Sequence, residues 1–216
     1  DLMVDGSIPP AAGLSSSSTL VVTAAEALLF ANQLQLSPER LVNLCGEGEW
    51  FVGTRGGSAD HAAIKLGERG RLLKVKFFDF AVEGSVPFPD NLLLVVCDSG
   101  IQAKKTAGAR DLFNHRVACY RLGFKLIRQT FPQYADRLHH LRDITTDNLE
   151  VSLDQIYRIL LSLPENASRE ELAALLPEET LQSVFATHVP PSDGNYPLRG
   201  MVLYGLAECE RSRLFA

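Results

Sequence analysis

The strongest constraint on this chain is the run Ile8-Pro9-Pro10-Ala11-Ala12-Gly13-Leu14-Ser15-Ser16-Ser17-Ser18-Thr19-Leu20. The Pro-Pro pair stiffens the entry, the small residues permit a tight turn, and the serines lead into an apolar helical pattern. A helix that starts this way presents the unpaired N–H groups of its first turn, with about half a positive charge. Phosphate suits such a place, so the run points to nucleotide chemistry. It has no lysine as in Gly-x-x-x-x-Gly-Lys-Ser/Thr and is not a Walker A loop. The same residues also read as a serine-rich N-cap behind a turn, and spacing alone leaves both readings open.

With 216 residues the chain can bury a sizeable core. Its formal charge of −5 gives no general reason to bind nucleic acid or an anionic membrane. No apolar run approaches the roughly 20 residues that span a bilayer. Neither partner is expected. Cys45, Cys97, Cys119 and Cys209 are scattered through apolar surroundings without a CxxC pair. They read as buried free thiols of a reducing cytoplasm. The chain begins at Asp1 without Met, and Leu2-Met3-Val4 reads as a strand in progress. A piece of a longer protein is expected.

The pattern predicts a short strand over residues 1–8 and a helix from about Ser16 to Asn32. A second helix should start at Ser37-Pro38, with Ser as N-cap and Pro at the first helical position, and run to about Phe51. Gly53-Thr54-Arg55-Gly56-Gly57 breaks it, and Ser58-Ala59-Asp60-His61 opens a short helix. Arg71 to Phe80 reads as a strand. Leu92 to Asp98 reads as a strand buried on both faces. A long helix follows from about Ala109 to Thr130. After Phe131-Pro132 no strand is predicted, only short helices, a capping box at Ser168 and Glu171, and a last helix from about Tyr196. Residues 1–130 therefore read as α/β and 131–216 as helical.

The second chemical cluster runs from Glu47 to His61. A carboxylate after a glycine turn, here Asp60, can reach a substrate hydroxyl. One at the end of the preceding helix can hold Mg²⁺, which takes one or two carboxylates plus substrate phosphates. Asp60 taken alone also reads as a capping or surface carboxylate. His61 reads as a structural hydrogen-bonding group or as a neighbour sharing a proton with Asp60. Arg55 reads as a solvated loop charge, or as a partner for phosphate or an acidic sugar.

Pro9-Pro10-Ala11-Ala12-Gly13-Leu14-Ser15-Ser16-Ser17 resembles the second, ATP-binding motif of the GHMP small-molecule kinases. Gly53-Thr54-Arg55-Gly56-Gly57-Ser58-Ala59-Asp60-His61 is similar to the Gly-rich turn of the galactokinase branch that ends in Met-Asp-Gln. Val4-Asp5-Gly6-Ser7-Ile8-Pro9-Pro10 leading into the serine run most resembles N-acetylgalactosamine kinase-like members of that branch, and Phe113-Asn114-His115-Arg116-Val117 also fits the branch. The resemblance implies an α+β GHMP-kinase fold, its α/β N-terminal part followed by the helical portion of the C-terminal domain. It implies that Gly13, Leu14, Ser15, Ser16, Ser17 and Ser18 wrap the phosphates of ATP, with Ser16 or Ser17 and Glu49 on Mg²⁺. Many relatives carry that glutamate where this chain has Gly48, which makes Glu47 a rival. Asp60 would be the catalytic aspartate facing the anomeric hydroxyl of a small-molecule sugar. Gly57 would contact the sugar through its backbone, and Phe113 falls where many galactokinases have a sugar-contacting tyrosine.

An aspartate is a weak base for a sugar hydroxyl, so Asp60 would take the proton late or mainly orient the oxygen. The family's first motif, an Arg followed by Gly-Glu-His-x-Asp-Tyr, and its third, glycine-rich motif have no match here. The expectation is thus a truncated, central portion of a cytoplasmic galactokinase-like enzyme, inactive as an isolated chain. A non-catalytic sugar and ATP sensor of the same branch is the alternative, and a helical interaction module a third. The sugar's identity and the oligomeric state are not legible.

Overall fold

A computed structural model describes residues 3–77, 80–101 and 107–215. The chain divides into two units, 1–106 and 107–216.

In the first unit, α1 spans Ser16–Ala31, α2 Pro38–Gly48 and α3 Ala59–Leu66. The start of α2 follows from local chemistry. Ser37 accepts a hydrogen bond from the Arg40 backbone N–H at 3.2 Å, and Pro38 occupies a position where no N–H is needed. A 3₁₀ turn, Glu49–Val52, extends α2 to Gly53, whose φ of 95° ends it. Val22, Leu41 and Cys45 make a small core, with Val21, Ala25, Leu29 and Ile64 packed against it. After α3, Gly70 turns the chain at φ +74° into β1, Arg71–Lys76, which pairs antiparallel with β2, Ala81–Pro87. The register slips between Lys74 and Val75, opposite Gly84.

In the second unit, α4 spans Ala107–Thr130, α5 Thr146–Leu149, α6 Leu153–Leu161, α7 Arg169–Leu175, α8 Glu178–Phe185 and α9 Leu198–Phe215. Two short strands, β3 at Ala167–Ser168 and β4 at Asn195–Tyr196, pair antiparallel. The stripe Ala118, Cys119, Leu122, Leu126 and Ile127 on α4 has helical spacing and is buried with Ile159, Val184, Leu198 and Val202. Burial pushes the Cys119 thiol up to about 12. The capping box of α7 forms as predicted, with Ser168 and Glu171 each accepting the other's backbone N–H.

The compact units divide at residue 106, and the apolar stripe of α4 belongs to the helical core, whereas the sequence pattern changes character near residue 130. Several local expectations are corrected. Residues 3–8 form no strand, and Met3 and Val4 are exposed. Leu92 to Asp98 is irregular, with Leu93 91% exposed. A strand needs a hydrogen-bonding neighbour, and no strand pairs with this run among the described residues. The strand predicted to Phe80 ends at Lys76, and residues 78–79 lie outside the described ones. All four cysteines are free, but only Cys45 and Cys119 are buried. In the part expected to hold no strands, the β3–β4 pair exists.

One aromatic cluster carries a pH prediction. His188 Nδ1 lies 3.2 Å from the Val184 carbonyl oxygen and Nε2 lies 3.0 Å from the hydroxyl of buried Tyr196. The arrangement suits a neutral ring that donates from Nδ1 and accepts from Tyr196 at Nε2. Burial, and then neighbouring His115 and Arg169, hold His188 below its usual value, against the Val184 carbonyl, which raises it. Burial does the same to His115, with Arg116 adding, while the Asn195 backbone and Asp193 oppose it. A histidine with its pKa lowered on folding binds fewer protons than in the unfolded chain. Stability should therefore fall as pH drops below about 6.5 and level off beneath the folded-state values. Thermal unfolding across pH 7.5 to 5 should show that decline. The double variant His115→Gln/His188→Gln should flatten it, and an unchanged profile would contradict the assignment.

Candidate active site

The turn before α1 alternates in hand. Ala11, Gly13 and Ser15 have φ of 57°, 73° and 56°. A non-glycine residue in that region costs about 1–2 kcal/mol, and such strain gathers at functional sites. Alternating conformations of this kind turn successive N–H groups toward one side, a concavity that suits an anion. A Cβ on Gly13 would meet nothing within 4 Å, so its φ, not crowding, calls for glycine. Ser15 is the N-cap without a side-chain cap bond, and its carbonyl accepts from Thr19 N at 3.0 Å and Thr19 Oγ1 at 3.1 Å. The N–H groups of Ser16, Ser17 and Ser18 precede the first intrahelical bond and point out of the helix start. Leu14 and Ser17 are exposed, and Ser16 is half-buried.

Ser18 is 2% exposed, and its hydroxyl donates to Glu49 Oε1 at 3.0 Å. His61 Nε2 lies 3.8 Å from the same oxygen. Glu49 thus reaches the first turn of α1, while Glu47 sits exposed on α2. Two turns further along α1, Glu26 pairs with Lys65 of α3. Ser18, Val22 and Glu26 recur every four residues on α1, as His61 and Lys65 do on α3. The two facing stripes fix α3 against α1. Burial raises the Cys45 thiol, and the carboxylates of Glu26 and Glu49 raise it further.

The glycine turn is tied back to the preceding segment. Trp50 Nε1 donates to the Gly56 carbonyl at 2.9 Å, and the Arg55 guanidinium lies 5.5 Å from the centroid of the Trp50 ring. A Cβ on Gly46 would stand 2.4 Å from Ser58 Oγ, so glycine is what lets α2 approach the start of α3. Asp60 then falls exposed in the first turn of α3, next to buried His61, and Gly57 is exposed before it. Phe113 lies in the other unit, 42% exposed on α4 beside buried Asn114 and His115. The pairing of Ser18 with Glu49 escaped the sequence reading, which favoured Ser16 and Ser17. The four-residue spacing of Ser18, Val22 and Glu26 was the available sign.

The donors around the α1 start are N–H groups, hydroxyls and one carboxylate. That set fits a triphosphate and a hard cation such as Mg²⁺. Among the described residues no group of three or more His, Cys, Asp or Glu could hold a metal ion. A cation would draw most of its oxygens from phosphate.

A helix start with free N–H groups suits phosphate, and a carboxylate tethered beside it suits the cation that accompanies phosphate. Residues 1–68 match the GHMP kinases N terminal domain. The chain is 26% identical over 221 residues to a galactokinase of Dictyostelium discoideum, covering all of this chain and 44% of that protein. It is 31% identical over 150 residues to a galactokinase of Chloroflexus aggregans, covering 69% of this chain and 36% of the relative. A galactokinase of Chloroflexus aurantiacus is 29% identical over 203 residues, covering 89% of this chain and 50% of the relative. These matches support a GHMP-kinase chain of the galactokinase branch, and its helices with two small sheets fit the α+β fold of that family. The chain spans half or less of the length of these relatives. No helix among the described residues is long and apolar enough to cross a membrane.

Proposed function

We propose that the protein carrying this chain transfers the γ-phosphate of ATP to the anomeric hydroxyl of a galactose-type sugar in the cytoplasm. The observation that carries the reading is the joint placement of Glu49 and α3. Glu49 is held to the first turn of α1 by Ser18, and the helix packed beside it presents Asp60 in its own exposed first turn. The galactokinases among its relatives support the choice of reaction.

Residues 13–18 would seat the phosphates on backbone N–H groups and serine hydroxyls. Glu49, with Ser16 or Ser17, would face Mg²⁺, which when bound neutralises phosphate charge. Asp60 would accept the proton of the sugar hydroxyl as its oxygen bonds to the γ-phosphorus, the bond to the β,γ-bridging oxygen breaks, and ADP leaves. Gly57 would meet the sugar through its backbone. Alignment contributes most of the rate in such a transfer.

The test is ADP release by the full-length protein with galactose, N-acetylgalactosamine, galacturonate and arabinose. Turnover of one of them with Mg·ATP supports the reading. Binding of both ligands without ADP release would replace it with a non-catalytic sensor.

A further inference from the structure

We propose that His61 is a positioning residue for Glu49, holding that carboxylate toward the first turn of α1. The inference rests on the reading of Glu49 as the residue that faces Mg²⁺. His61 is 1% exposed and the Glu49 side chain 14%, so the two meet where water screens little. Its Nε2 stands 3.8 Å from Oε1, beyond a direct hydrogen bond but close enough for an N–H on the ring to steer the carboxylate electrostatically. The same oxygen already accepts from Ser18 at 3.0 Å. Ala62, fully buried, and the pairing of Lys65 with Glu26 hold the rest of α3 in place, which keeps the His61 backbone beside Glu49.

The consequence is a mechanical link along the chain. Asp60 and His61 are adjacent, one exposed and one buried, at the start of one helix. Through His61, Glu49 and Ser18, the helix that carries the proton acceptor is registered against the helix that seats the phosphates. A group that held α3 by bulk alone would affect folding. A positioning group affects what Glu49 does.

The test measures ATP affinity of the full chain by calorimetry, with and without Mg²⁺, for wild type, Glu49→Gln, His61→Ala, His61→Gln and Glu49→Gln/His61→Ala. The gain in affinity from Mg²⁺ should vanish in Glu49→Gln. His61→Ala should reduce that gain about threefold to tenfold while metal-free affinity holds. His61→Gln, which keeps a buried N–H donor, should recover most of the loss. In the Glu49→Gln background the alanine should cost nothing more.

Equal loss with and without Mg²⁺, or additive losses in the double variant, would overturn the proposal. Should wild type gain nothing from Mg²⁺, the metal reading of Glu49 fails on its own. Thermal unfolding of the same four variants then decides for His61: a coupling between the two positions keeps the positioning role, and additivity removes it.

Discussion

Replacing Asp60 by Asn is expected to lower phosphoryl transfer by about 10²- to 10⁴-fold in the full-length protein, with ATP affinity unchanged. The carboxylate is exposed in the first turn of α3, so the substitution neither opens a cavity nor strands a buried group. Asparagine keeps the size and much of the hydrogen bonding but cannot accept a proton. A structural role predicts something different. A negative charge near a helix N-terminus contributes about 0.3–1 kcal/mol, so a merely capping Asp60 would cost a few degrees of thermal stability and little rate. Turnover and melting temperature measured on the same preparation separate the two. A loss of rate below tenfold in a folded variant would refute the assignment.

Leu122→Ala is expected to destabilise the second unit by about 2–5 kcal/mol. Leu122 is fully buried among Ala118, Cys119, Leu126, Ile127 and Val202. The neighbouring position shows why the void would persist. A Cβ on Gly123 would stand 2.5 Å from Val202 Cγ2, so α4 and α9 are already in close contact there and cannot approach to fill the space. The comparison is Leu28→Ala on α1, where the side chain is 53% exposed and the change should stay within about 0.5 kcal/mol. Urea unfolding of both variants measures the difference. Equal midpoints would mean that the α4 stripe is not the core described.

What could be read in advance was what short-range chemistry determines. The start of α2 is fixed by Ser37 and Pro38, the start of α7 by Ser168 and Glu171, and α1 by an uninterrupted helical pattern. β2 escaped because Glu83, Gly84, Ser85 and Pro87 are poor strand formers, and only pairing with β1 makes them one. Leu92 to Asp98 misled because composition reports the surroundings a segment would suit, not those it finds. The same holds for Cys97 and Cys209. In the site, the serine run and the glycine turn stood out as local patterns. The link from Ser18 to Glu49, 31 residues apart, and on to His61 needed the packing of three helices. Helical spacing hints at such a link but cannot name its partner.

On the proposed function, the first turn of α1 seats a nucleotide phosphate. Backbone amide shifts of the ¹⁵N-labelled chain, followed while Mg·ATP is added, test it most directly. The largest changes should fall on Ser16, Ser17 and Ser18, with a smaller response at Glu49. Saturation with the α1 amides unmoved, or no saturable change anywhere, would contradict it.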